Sequence, residues 1–305
     1  MPTTTYRGRF APSPTGPLHF GSLVTALASW LEARCANGQW LVRIEDLDPL
    51  REPAGATDQI LDSLARHALH SDEPVRFQSQ RHDAYEQAIR TLMQSGQAYV
   101  CPCSRKEIQA NGGRHPNHCR TARIDPGKQP AAIRFALTDD SAHWTDTLLG
   151  DQCQPVRAEL DDPVIKRKEG FYAYRLAVVV DDIDQRISHV VRGSDLLEMT
   201  AQQQQVFRAL GAQPPQWLHI PVILNELGQK LSKQTHAPAL DDRQPARNLV
   251  DALAALGQNP PPDLALSTPE AVLDWARQHW RRGGIPLTSR QQRAINPDTS
   301  LGSDR

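Results

Sequence analysis

Residues 6–22 read YRGRFAPSPTGPLHFGS, and this stretch decides the fold. The segment from Tyr6 to Phe10 has the composition of a short strand, and the three prolines and the glycine that follow exclude a continuing strand or helix. From Ser22 to Ala36 apolar residues recur on one helical face, and a strand-like segment, Trp40 to Ile44, comes next. Strand, loop, helix and strand in this order predict the opening unit of a Rossmann-like, doubly wound parallel sheet of the α/β class.

The rest of the chain fits the same fold. We predict helices at residues 56–69, 83–94, 196–210, 248–256 and 269–280, and strands at residues 131–137, 172–180, 188–191 and 219–224. The last two helices predict a small helical C-terminal region. We expect a flexible tail at residues 296–305.

The composition indicates a globular protein with a polar surface. Hydrophobic residues make up 39% of the 305 residues, and the formal net charge is -1. No apolar run approaches the roughly 20 residues that cross a bilayer, and the start lacks a secretory signal. We therefore expect a cytoplasmic protein that binds no membrane. We also expect a monomer. Because the chain is no polycation, any nucleic acid must meet a local basic patch.

Two short motifs have the chemistry to contact phosphates. Gly21 allows close backbone approach where the first helix begins, and helix N-termini suit phosphates because their N–H groups are free. His19 lies just before that helix, where it can donate to a phosphate oxygen. Far downstream, Lys230-Leu231-Ser232-Lys233 predicts a mobile cationic loop. Taken singly, such motifs are more often an ordinary turn with a surface histidine and a pair of solvated lysines.

Three of the five cysteines are clustered: Cys101, Cys103 and Cys119, with His115 and His118 between them. An odd number of cysteines, so clustered, argues against a disulfide framework and for a metal site in a reducing compartment. Three thiols and one histidine suit a tetrahedral structural zinc site, although three buried or free thiols are the alternative. His115 is the preferred fourth ligand because His118 adjoins Cys119, and His118 remains the other choice.

Considered together, the motifs resemble those of glutamyl-type class I aminoacyl-tRNA synthetases. Residues 8–22 resemble the opening signature of that family with its "HIGH" motif, and residues 230–234 resemble its "KMSKS" motif. Three further signatures lie between them, at residues 43–48, 162–165 and 191–197. The resemblance covers about residues 6–240 with the signatures in the family's order. It departs at Ser22, which replaces the second histidine of "HIGH", and at Gln234, which replaces the last serine of "KMSKS".

The resemblance implies an enzyme that activates L-glutamate with ATP and magnesium. It assigns catalysis to His19, Lys230 and Lys233, and ATP binding to His19, Gly21, Ser22 and Lys233. It assigns glutamate binding to Arg9, Phe10, Ala11, Pro12, Ser13, Glu45, Tyr172 and Arg192. The chemistry agrees, because Arg9 can grip a carboxylate with two hydrogen bonds and Glu45 can hold an ammonium group. The family also carries zinc at the position of the cysteine cluster, with a fourth ligand that aligns with His115.

The resemblance implies four regions. Residues 1–100 and 166–240 are the two halves of the catalytic domain. Residues 101–165 are a zinc-binding insertion of the type that contacts the tRNA acceptor end, and residues 241–305 are a helical C-terminal region. Only 72 of the 305 residues follow Lys233, too few for the family's anticodon-binding domain. Short family members without that domain transfer glutamate to the queuosine base in the anticodon of tRNA(Asp). We therefore expect queuosine-containing tRNA(Asp) as the partner.

Other functions remain open. The chain could be a fragment of a discriminating or non-discriminating glutamyl-tRNA synthetase. A nucleotidyltransferase of the same superfamily is disfavoured by the order of the five signatures. A non-catalytic RNA-binding paralogue is disfavoured because a dead site has no physical need for His19, Arg9, Glu45 and both lysines.

Overall fold

The computed structural model describes residues 5–115, 118–122, 124–125, 130–138, 141–156, 161–224, 238–288 and 290–291. Lys230, Lys233 and Gln234 lie outside the described residues, as does the predicted tail at 296–305.

The described part of the chain alternates between helices and strands. Its α-helices are α1 (Phe20–Cys35), α2 (Ala56–Arg66), α3 (His82–Gln94), α4 (Arg105–Ala110), α5 (Tyr174–Asp184), α6 (Thr200–Ala209), α7 (Pro245–Ala255) and α8 (Pro269–His279). Its strands are β1 (Arg7–Phe10), β2 (Gln39–Ile44), β3 (Arg76–Phe77), β4 (Ala98–Cys101), β5 (Ala132–Phe135), β6 (Ser141–Asp146), β7 (Gly150–Pro155), β8 (Val164–Lys166), β9 (His189–Gly193), β10 (Gln216–Ile220), β11 (Ile223–Leu224) and β12 (Arg290–Gln291).

Two groups of parallel strands form the centre of the molecule. Strand β2 pairs in parallel with both β1 and β3, and β9 pairs in parallel with β10. The groups meet at β1 and β9, where the Ser188 N–H donates to the Arg7 carbonyl oxygen at 3.0 Å. The spatial order β3-β2-β1-β9-β10 therefore reverses between β1 and β9, as in a doubly wound fold. This confirms the predicted fold class.

Two antiparallel units flank this parallel core. Strands β4, β5 and β8 form a separate antiparallel sheet that leads into the cysteine cluster. The hairpin of β6 and β7 joins the main sheet instead, because β6 pairs in parallel with β10 where Asp146 lies opposite Trp217. A hairpin from within residues 101–165 thus extends the central sheet on the β10 side.

Helix α1 is the centre of one hydrophobic core. Its buried side chains, including Leu23, Leu27 and Leu31, pack with those of the central strands and with Leu249 and Leu253 of α7. Removing these apolar side chains from water stabilises the packing by about 25 cal/mol per Å². Helices α7 and α8 thereby cover α1, and the beginning of α1 is held against the carboxyl end of β1.

The strand predicted at residues 172–180 is wrong. The chain forms α5 here, and the run Leu176 to Val180 is buried in a second core together with residues of α3 and α6. A short apolar run that is buried on all sides carries no periodicity that distinguishes a strand from a helix. The helix predicted from residue 196 instead begins as a 3-10 helix, Ser194–Met199, and becomes α-helical at Thr200.

Among the described residues, none of the helices has the length and apolar character that crossing a membrane requires.

Gly257 closes α7 in a turn that only glycine accommodates. Its φ is +71°, and a Cβ atom there would lie 2.1 Å from the Gly284 carbonyl oxygen. Gly211 closes α6 with a similar φ of +76°, but a Cβ there would meet nothing within 4 Å.

We expect Gly211→Ala to lower the free energy of unfolding by about 1 kcal/mol, the cost of left-handed backbone. Gly257→Ala should lower it by about 3 kcal/mol, because the backbone must also move. Urea unfolding measures both, and equal losses would contradict the packing argument.

Candidate active site and metal centre

An open cavity of about 470 Å³ lies at the carboxyl ends of β1 and β9, where the strand order reverses. Doubly wound folds bind their ligands at this position. The cavity brings together predicted site residues from both halves of the sheet, namely Arg9, Phe10, Ala11, Pro12, Ser13, His19, Gly21, Ser22 and Arg192.

His19 is the N-cap of α1. Its Nδ1 accepts the Ser22 backbone N–H at 3.3 Å, and the Ser22 Oγ lies 3.1 Å from its Nε2. Because Nδ1 accepts, a neutral His19 carries its proton on Nε2, which is then the ring's donor. Ser22, which departs from the family's motif, therefore contacts the ring of the histidine that the motif retains.

Arg9 and Arg43 converge on one aspartate, Asp182. Arg9 is 4% exposed and donates to both carboxylate oxygens of Asp182, at 3.2 and 3.4 Å. Arg43 is fully buried and donates to Asp182 at 2.8 Å and to Glu45 at 3.4 Å. Burial alone would raise the pKa of Asp182, but the two guanidinium groups hold it below its ordinary value. A charged network therefore joins β1, β2 and α5 beneath the cavity.

Glu45 belongs to the same network. Burial raises the pKa of its carboxyl group to about 7, although Arg43 and Arg9 oppose the shift. Its backbone N–H donates to the Pro12 carbonyl oxygen at 3.0 Å, which holds the first loop against the end of β2. Glu45 does not line the cavity itself, but its carboxylate contacts the buried Arg43 and lies near the charge of Arg9, which does line the cavity.

Of the two tyrosines near the start of α5, Tyr174 lines the cavity and the predicted Tyr172 does not. The Tyr172 hydroxyl donates to Glu86 at 2.7 Å, and its ring contacts Tyr85. Tyr174 is an electrostatic neighbour of the site: burial raises the pKa of its hydroxyl, and the charge of Glu45 raises it further, against Arg192. Recognition of α5 as a helix that starts at the ligand end of the sheet would have favoured Tyr174.

The predicted metal ligands also meet. Suitable atoms of all four residues lie within 4.8 Å of one another, and all four are buried: Cys101, Cys103, His115 and Cys119. The His115 Nε2 lies 3.1 Å from the Cys101 Sγ and 3.5 Å from the Cys103 Sγ. Ligands of a tetrahedral metal at about 2.0–2.3 Å lie about 3.5 Å apart, so the cluster can hold a metal ion. The alternative, His118, is exposed, with its Nε2 3.7 Å from the Cys103 Sγ.

Polar residues behind His115 fix the direction of its ring. The His115 Nδ1 lies 3.4 Å from the Tyr99 hydroxyl, which donates to Asp162 at 2.7 Å. Arg120 also contacts the Asp162 carboxylate. Such a chain of partners orients a metal-binding imidazole, so that its Nε2 faces the thiols.

The fold and the cavity together are those of the catalytic domain of a class I aminoacyl-tRNA synthetase. Residues 5–256 match the family of class I tRNA synthetases (E and Q), catalytic domain. The glutamyl-Q tRNA(Asp) synthetase of Vibrio vulnificus (strain CMCP6) is 46% identical over 286 residues, which cover 94% of this chain and 93% of that protein. The glutamyl-Q tRNA(Asp) synthetase of Pseudomonas putida (strain KT2440) is 46% identical over 301 residues, covering 99% and 98%. The chain belongs to the glutamyl-Q tRNA(Asp) synthetase family.

A solved structure shows the same fold. The glutamate tRNA ligase of Elizabethkingia meningosepticum CCUG26117, determined in complex with its amino acid, superposes with a TM-score of 0.80 at 24% identity. The match covers 95% of this chain and 68% of that one.

The raised pKa of Glu45 predicts a pH-dependent stability. A carboxyl group with a pKa of 4.5 when unfolded and about 7 when folded costs no stability at low pH, and costs progressively more as the pH rises through this range. We expect the native protein to lose about 3 kcal/mol relative to Glu45→Gln between about pH 4 and pH 8. Urea unfolding at each pH measures this. Glu73→Gln, which removes a more exposed carboxylate that pairs with Arg7, is the control. A difference between native protein and Glu45→Gln that stays constant with pH would contradict the assignment.

Proposed function

We propose that the protein activates L-glutamate with ATP and transfers the glutamyl group to the queuosine base in the anticodon of tRNA(Asp). The observation that carries the proposal is the cavity, which joins the His19 turn to two arginines and lies beside a buried carboxylate. The names of relatives that match nearly the full chain support the choice of amino acid and tRNA.

The charges around the cavity suit a substrate with two carboxylates and one ammonium. In the proposal Arg9 and Arg192 bind the carboxylates. Arg9 can form paired hydrogen bonds through its Nη1 and Nη2, whereas Arg192 contributes its positive charge and its remaining Nη1 N–H. Glu45 receives the ammonium group, which favours the ionised carboxylate and so lowers the pKa of Glu45. Tyr174 lies between these charges and is the better candidate for the tyrosine contact than Tyr172.

Adenylation needs positioning and charge neutralisation but no nucleophile from the protein. A glutamate carboxylate oxygen attacks the α-phosphorus of ATP, a C–O–P linkage forms, and the bond to pyrophosphate breaks. In the proposal His19 donates to phosphate from Nε2, and Gly21 and Ser22 present backbone N–H groups at the start of α1. Magnesium accompanies ATP, as in other phosphoryl-transfer sites.

Lys230 and Lys233 complete this proposal. Described residues that precede and follow these lysines in the sequence lie at the cavity. Val222 and Ile223 line it, and Ala239 forms a β-bridge with His19. In the proposal the two lysines neutralise the charge that develops on the departing pyrophosphate.

Zinc is the metal that we propose for the cysteine cluster. Three thiolates and one imidazole at tetrahedral spacing are a typical closed structural zinc site, and four protein ligands leave no open position for catalysis. The ion would tie the start of α4 to the segment around Cys119, in the region that we propose as the insertion, residues 101–165. The remaining regions keep their proposed roles, with residues 1–100 and 166–240 as halves of the catalytic domain.

ATP–pyrophosphate exchange tests the activation step, and transfer of labelled glutamate tests the acceptor. We expect exchange to depend on glutamate and to proceed without tRNA. Lys233→Ala should lower it about 100-fold or more, because the developing charge loses a partner. Lys106→Ala, an exposed lysine on α4, should leave exchange unchanged. Label should reach tRNA(Asp) that contains queuosine, but not the same tRNA without it and not tRNA(Glu).

Two results would contradict the proposal. Transfer to tRNA(Glu) would support a glutamyl-tRNA synthetase, and absence of exchange with every amino acid would support a non-catalytic protein. Near-normal exchange by Lys233→Ala would refute the role of that lysine alone.

Metal analysis tests the zinc site. We expect about one zinc per chain in the native protein, and a loss of most of it in Cys119→Ser, because a hydroxyl is a much weaker zinc ligand than a thiolate. Cys35→Ser changes an exposed cysteine outside the cluster and should leave the zinc content unchanged. A native protein without stoichiometric metal would refute the site.

A further inference from the structure

Arg192 is held at the cavity by hydrogen bonds from four of the five N–H groups of its guanidinium. Its Nε donates to the His219 Nε2 at 2.9 Å, and its Nη1 donates to the Gln203 Oε1 at 2.6 Å. Its Nη2 donates to the Thr200 Oγ1 at 2.8 Å and to the Leu196 carbonyl oxygen at 3.2 Å. The protein therefore sets the orientation of this side chain before any ligand binds.

Every acceptor that Arg192 has among the described residues is uncharged. Arg9 differs, because the carboxylate of Asp182 balances its charge. Arg192 is 4% exposed, and its Cζ lies 4.6 Å from the centre of the buried Trp217 ring, which attracts the cation without neutralising its charge. A buried guanidinium group with neutral partners keeps its full charge for an anion that enters the cavity.

His219 must be neutral to accept the hydrogen bond from Arg192, and its contacts fix its tautomer. Because an arginine N–H can only donate, the His219 Nε2 carries the lone pair and the Nδ1 carries the proton. The Nδ1 lies 2.6 Å from the Asp146 Oδ2, to which it donates. His219 is fully buried, and this burial lowers the pKa of its ring, in agreement with the neutral form.

Asp146 is fixed in turn by the hairpin that extends the sheet. Besides the His219 ring, its carboxylate accepts the backbone N–H groups of Leu148 at 3.0 Å, Leu149 at 2.9 Å and His219 at 3.1 Å. These donors close the turn after β6 and lie on β10, so the carboxylate cannot turn away without losing several hydrogen bonds.

We propose that His219 and Asp146 are positioning residues of the amino-acid site, which hold the Arg192 guanidinium at the angle that receives a substrate carboxylate. Neither residue lines the cavity, whereas Arg192 does. A histidine suits this position because it accepts a hydrogen bond without neutralising the arginine. A carboxylate in the same place would cancel the charge that the substrate needs. The inference rests on the proposed function, in which Arg192 binds glutamate.

Two substitutions of His219 separate the contacts of its two ring nitrogens. Asn places an amide N–H near the position of Nδ1, so His219→Asn keeps the donor to Asp146 and loses the acceptor for Arg192. Gln places its oxygen near the position of Nε2, so His219→Gln keeps the acceptor. In glutamate-dependent ATP–pyrophosphate exchange, we expect His219→Asn to raise the KM for glutamate about 10- to 100-fold. The KM for ATP should stay within about twofold, and His219→Gln should stay within about threefold of the native protein for both substrates.

Asp146→Asn is a second test that leaves His219 in place. The Asn amide can offer an N–H to the ring, which favours the tautomer with the proton on Nε2, where it opposes Arg192. We expect the same selective rise in the KM for glutamate. This variant decides the question if His219→Asn does not fold, as judged by circular dichroism.

A purely structural role would lower kcat through a smaller folded fraction and leave both KM values unchanged, and this result would overturn the inference. Equal KM values for glutamate in His219→Asn and His219→Gln would overturn it as well. Failure of the proposed function gives a different result, because the native protein itself would then show no glutamate-dependent exchange.

Discussion

The buried carboxylate of Asp182, shared by Arg9 and Arg43, is the constraint on which the site depends. Charges removed from water are costly unless they are paired and hydrogen-bonded. Helix α5 must therefore pack where Asp182, in its last turn, reaches both guanidinium groups on β1 and β2. The same packing places Tyr174, at the start of α5, in the wall of the cavity.

The two arginines at the cavity illustrate two ways to bury a positive charge. Arg9 is balanced by Asp182, so it contributes to the packing of the sheet against α5 as well as to the site. Arg192 is surrounded by uncharged acceptors, an arrangement that is costly in an empty site and favourable when an anion binds. A substrate with two carboxylates would thus meet one arginine whose charge a carboxylate already balances, and one arginine whose hydrogen-bond acceptors are all uncharged.

The residues of the metal cluster lie close together in the sequence, whereas those of the cavity come from distant parts of the chain. The four residues of the cluster lie between positions 101 and 119, close enough in sequence for their spacing to indicate a metal site. The residues that orient His115 come from outside that interval. The Tyr99 hydroxyl contacts the His115 ring and donates a hydrogen bond to Asp162. The local sequence supplies the ligands, and the β4-β5-β8 sheet supplies the framework that directs them.

Local patterns determined the opening strand, loop and helix, the position of His19 at the start of that helix, and the cysteine cluster, because each depends on residues near one another along the chain. Only the tertiary structure showed that Tyr174, and not Tyr172, lines the cavity, since a fully buried apolar run has the same appearance in a strand and in a helix. It also revealed Asp182, 173 positions from Arg9, and the contact of His219 with Asp146, 73 positions away. A buried charge or neutral histidine has no local signature, because its role is defined by partners that only the folded sheet brings within hydrogen-bonding distance.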